Sequence, residues 1–96
     1  MPLNPKWQVA AEKEFLFRSW DDEFVVYNGA TGDTHLLGLV AAQVMLKLQQ
    51  TPMDAASLAE WVAPLLQTEP DDEFVFVIEQ ILTDFDSLGI IEHTRL

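Results

Sequence analysis

The chain has 96 residues, with sixteen Asp and Glu against five Lys and Arg and a net charge of −11. That length fills one hydrophobic core and not two, and 49% hydrophobic residues supply enough apolar area to fold without a metal or a disulfide. The absence of cysteine removes thiolate chemistry, and the charge disfavours phosphate backbones and anionic lipid, so nucleic acid and membrane are not expected partners.

Residues 1 to 6 carry two prolines and little periodicity and read as a loose lead-in, with Trp7 and Val9 placed to pin the start of the domain. No basic residues precede an apolar run there, and nowhere do eighteen apolar residues run together, so neither export nor a membrane span is expected and the cytoplasm is the expected compartment.

Aromatic and β-branched residues then flank a short acidic turn: Phe15-Leu16-Phe17-Arg18-Ser19-Trp20, Asp21-Asp22-Glu23, Phe24-Val25-Val26-Tyr27-Asn28. This pattern predicts a β-hairpin. Gly29 and Gly32 supply a second turn leading into Thr34-His35-Leu36-Leu37, so a three-stranded antiparallel meander is expected.

At Gly38 the period changes from two to 3.6, and Val40, Ala41, Val44 and Leu48 share one face of a central helix that Pro52 ends. Ser57-Leu58-Ala59-Glu60 has capping-box spacing and opens a second helix, in which Pro64 predicts a kink or an early stop. Pro70-Asp71-Asp72-Glu73 sets three carboxylates against the positive end of a third helix, which runs to about residue 88 with Gly89 as its cap. Ile90-Ile91-Glu92 follows as a short extended tail. The expected class is α+β, winged-helix-like, with the order strand, strand, strand, helix, helix, helix.

On the third helix, Phe74, Ile78, Ile81, Phe85 and Leu88 form a stripe flanked by Val77, Val75 and Leu82, an apolar arc of roughly 160°. Packing on a small core needs about 100°, so the excess can line a groove; burial of the whole arc is the alternative. Phe76 points off the arc; an isolated exposed Phe is usually incidental, the alternative being an oligomer contact, and a homodimer is among the states the sequence allows.

No catalytic constellation emerges. His35 and His93 have no metal-site spacing, the two carboxylate triplets are turn and cap residues, and there is no phosphate loop or nucleophile elbow. The chain is expected not to be an enzyme and to carry no cofactor or metal.

The ordered set Phe24-Val25-Val26-Tyr27-Asn28, Gly32-Asp33-Thr34-His35-Leu36-Leu37, Gly38-Leu39-Val40-Ala41-Ala42 and Leu88-Gly89-Ile90-Ile91-Glu92 resembles the PqqD family of peptide chaperones over about residues 7 to 93. The Gly-Asp-Thr-His-Leu-Leu stretch resembles most the variant associated with an HPr-kinase-related protein. Gly38 stands where the family has a polar cap, and Pro64 interrupts the second helix. The resemblance implies a recognition element for ribosomally made, modified peptides, in which a precursor's leader joins the sheet beside the third strand, rests against the third helix and is presented to a modifying or kinase-related enzyme. It nominates Thr34, His35, Leu36 and Leu37 for backbone pairing. On the helix it nominates members of the set Phe74, Val77, Ile78, Ile81 and Phe85.

Two other readings fit the same element order. One is a structural adaptor docked on a kinase-like partner. The other is a winged-helix regulator reading DNA, which the absence of any Lys or Arg between residues 51 and 91 opposes.

Overall fold

The structure, a computed structural model, describes residues 6–10, 15–20, 23–29 and 31–94. Of the expected lead-in over residues 1–6 only Lys6 is described, and Asp21 and Asp22 of the acidic turn, with Ala30, lie outside the described residues.

The protein is a small α+β domain with antiparallel strands and three helices. In chain order the elements are β1 (Trp7–Val9), β2 (Phe15–Trp20), β3 (Glu23–Asn28), β4 (Thr34–Leu37), α1 (Leu39–Gln50), α2 (Ala55–Leu65), α3 (Asp72–Ser87) and β5 (Ile91–His93). The expected order of three strands followed by three helices is corrected by the short strands at either end. The strands divide between two sheets, one of order β2-β3-β4 and one of β1 paired with β5. Three-residue strands are too short to show alternation, and the partners Trp7 and His93 lie at opposite ends of the chain, so no local pattern announces them.

In the meander, Val26 pairs with Phe17 on β2 and His35 on β4, and Val26 is fully buried. The period of two therefore turns Phe15, Phe17, Phe24 and Leu37 inward, and leaves Leu16, Arg18, Val25, Tyr27 and Leu36 on the opposite face. The β3–β4 turn closes with the Asn28 N–H donating to the Asp33 carbonyl and the Gly32 N–H donating to the Asn28 carbonyl, both 2.8 Å. Gly32 sits at φ 82°, a left-handed conformation that glycine adopts without a Cβ clash.

α1 buries Ala42, Val44, Met45 and Leu48 and touches β3, β4, α2 and α3, which makes it the centre of the core. Its N-cap is Gly38, which offers no side-chain hydrogen bond.

The expected capping box at Ser57 is corrected. Asp54 caps α2, its carboxylate accepting from the Ser57 N–H at 2.7 Å, so Ser57 is the capped residue in the first turn. Asp54 holds the boundary because Met53 is fixed just before it by reciprocal backbone bonds with Trp7. Pro64 falls in the final turn and α2 stops at Leu65.

Asp71 caps α3 by accepting from the Phe74 N–H at 2.9 Å, with Asp72 and Glu73 following in the first turn. At the other end the Ile90 N–H reaches back to the Phe85 carbonyl and the Gly89 N–H to the Asp86 carbonyl, with Gly89 at φ 77°. This is a Schellman stop, and the buried Ile90 packs where the motif puts its apolar contact.

The stop aims Ile91–His93 at β1, with Val9 opposite Ile91 and Trp7 opposite His93. The Trp7 and His93 rings lie 3.8 Å apart, and β1 carries Met53 on its other side. The body measures 37 × 35 × 20 Å. Its short dimension matches two layers packed about 10 Å apart, the helices covering one face of the meander only.

Candidate functional site

Hydrogen-bond parity decides which backbone groups face away from the meander. Asn28 bonds across to Asp33, so alternation along the β3–β4 ladder makes Val26 with His35 and Phe24 with Leu37 the hydrogen-bonded pairs. Thr34 and Leu36 then turn their N–H and C=O groups to the outer side of β4. Among the described residues no strand pairs with that side, and the C-terminal tail lies on β1. Leu36 is 68% exposed, Thr34 is exposed, and His35 and Leu37 are partly buried beneath the sheet.

The nominated residues of α3 separate by burial. Ile78 is fully buried and Phe85 nearly so, both within the main core, which removes them as ligand contacts in this conformation. Val77 is 43% exposed, Phe74 and Ile81 are partly buried, and Leu88 is exposed further along. At 100° per residue Phe74, Val77, Ile81 and Leu88 fall on one flank of the helix, so the wide apolar arc is part core and part surface strip. Phe76 lies on the far side and is exposed.

No Cα of β4 lies within 8 Å of a Cα of α3, whereas both elements touch α1. The strand and the helix thus share α1 as a common support.

A second apolar feature lies at the other border of the meander. A groove of about 230 Å³ runs beneath β2, walled by Phe15, Phe17, Phe24 and Leu37 of the sheet and by Met45 and Leu46 of α1. The alternation within Phe15–Trp20 made the first two of these residues legible in the sequence. The opposing wall depends on the rotation of α1, which is apolar almost all round, and so it was missed. A second cleft of about 560 Å³ between α2 and α3 is lined by Asp54, Glu79 and Trp7 among others.

Polar chemistry is sparse. No polar or charged residue among those described is buried, and no group of three or more His, Asp or Glu among them is arranged to hold a metal ion. His35 lies on β4 and His93 on β5, in different sheets. No helix among the described residues is long and apolar enough to cross a membrane. Comparison with protein-family models, with curated proteins and with solved structures finds no match to this chain.

Proposed function

We propose that the protein is a non-catalytic, PqqD-like peptide-binding domain of winged-helix-like build, which captures an extended precursor segment as an added strand on β4 and presents it to a partner modifying or kinase-related enzyme. The observation that carries this reading is the outer edge of β4, where Thr34 and Leu36 direct two N–H and two C=O groups away from the sheet. An inserted strand would lie about 4.8 Å from β4, on the side where no strand pairs among the described residues.

Magnitudes say what else the ligand must bring. Four backbone hydrogen bonds at about 0.5–1.5 kcal/mol each contribute roughly 2–6 kcal/mol, short of the about 8 kcal/mol of micromolar binding. The remainder falls to apolar side chains meeting the Val77 and Ile81 flank of α3. Carboxylates along that helix, including Glu73 and Asp84, favour a ligand with cationic neighbours. The same charge opposes a nucleic-acid role, because α2 and α3 carry no Lys or Arg to meet phosphates.

The test is recovery of bound peptides from the tagged chain by mass spectrometry, followed by titration of the recovered peptide into the wild type and Leu36→Pro. Proline removes an outward donor and leaves the β3–β4 bonds of His35 and Leu37 in place, so the variant should stay folded and lose at least about tenfold in affinity. Equal affinity in the two proteins would refute strand addition on β4.

A further inference from the structure

The parity that frees Thr34 and Leu36 has a counterpart across the sheet. β3 is the middle strand, and Phe24 and Val26 direct their backbone groups to β4, so Val25 and Tyr27 direct theirs to β2. Arg18 and Leu16 receive those bonds. Phe15, Phe17 and Ser19 therefore turn their own N–H and C=O groups outward, and no strand among the described residues pairs with that side. Their side chains face the inner side, so the residues that offer free backbone groups also line the groove against α1.

We propose that the outer edge of β2 and the groove beneath it form a second docking site, for an extended apolar segment of a partner protein bearing an acidic residue beside Arg18. A strand laid antiparallel here places the residue opposite Phe17 on the inner side, where it drops between the sheet and Met45 and Leu46. The residue opposite Arg18 stays on the outer face, its Cβ about 4.5–5.5 Å away. Charge selects an acidic residue at that position. Phe15–Trp20 contains Arg18 and no carboxylate in a chain of net charge −11, and among the described residues nothing pairs with the guanidinium. Size selects a strand over a small molecule. About 230 Å³ is below the roughly 300–1,000 Å³ of drug-sized ligand sites, and suits the inward side chains of a docked segment. This site is independent of the β4 reading and would let the domain hold a partner on one border while the other is engaged.

Two acetylated octapeptides of alternating valine and threonine, one with a central glutamate and one with a central lysine, serve as probes against the full ¹⁵N-labelled chain. The expected result is amide shifts concentrated at Phe15, Phe17, Ser19 and the Met45 and Leu46 turn, with the glutamate peptide bound about fivefold more tightly. R18E should reverse that preference, and L46E should weaken both peptides. Both positions are exposed, so the variants keep the fold, which the same spectra verify. Shifts confined to Thr34 and Leu36, binding with no charge preference, or no binding of either peptide would overturn the proposal. Concentration-dependent self-association through β2, seen by sedimentation, would do so as well, by giving the edge to a second copy of the chain.

Discussion

The two sheets treat their borders in opposite ways. β1 is bounded on one side by β5 and on the other by Met53, with Trp7 exchanging two backbone bonds with Met53 and the tail's Ile90 and Ile91 buried. The three-stranded meander is larger, yet both its outer edges lack a strand partner among the described residues, and its outer face shows Leu16, Tyr27 and Leu36. An unpaired edge invites foreign strands, and a short β4 with a charged residue on β2 are usual ways of limiting that risk. The termini close a small clasp on the helices instead of capping the meander. On the proposed reading, stability falls to the small sheet and recognition to the meander.

The sharpest way to break this division is to compare Ile91→Ala with Leu36→Ala. The first removes a buried side chain from the clasp and should cost about 2–5 kcal/mol in urea unfolding. The second touches an exposed edge and should stay within about 0.5 kcal/mol. Comparable losses would mean that the meander edge is structural. Next in size is Gly89→Ala, which forces a Cβ into the left-handed stop that steers the chain into β5 and should lower stability by about 1–2 kcal/mol. Its effect should appear as faster exchange of the β5 amides, leaving the β4 amides unchanged.

The smallest effect runs in the other direction. α2 ends in the same kind of stop, the Thr68 N–H reaching the Ala63 carbonyl and the Gln67 N–H the Pro64 carbonyl, but with Gln67 at φ 57°. Gln67→Gly relieves that conformation and gives back part of the gain to a freer unfolded chain. A rise of a few tenths to about 1 kcal/mol is expected, read as a higher urea midpoint at unchanged slope.

Much of this was legible in the residues. Phe15–Trp20 and Glu23–Asn28 are rich in aromatic or β-branched side chains and, with Thr34–Leu37, are set off by turn residues, and Asp71 and Gly89 mark the two ends of α3 by their chemistry. What escaped was set by distance or degeneracy. The β1–β5 pairing joins residues at opposite ends of the chain, where a period cannot reach. Asp54 and Ser57 are both competent caps three residues apart, and the bridge at Met53 settled which one closes α2. The arc on α3 was wide enough to permit several rotations, and only packing separated the buried Ile78 and Phe85 from the exposed Val77. The groove beneath β2 needs the relative placement of a strand and a helix that are both apolar on more than one side.

Amide hydrogen exchange along β4 in the free protein tests the open border most directly. His35 and Leu37, bonded to β3, should exchange slowly while Thr34 and Leu36 exchange nearly as fast as an unprotected backbone, slowing only when a peptide binds. Equal protection at all four amides before any ligand is added would contradict an open border.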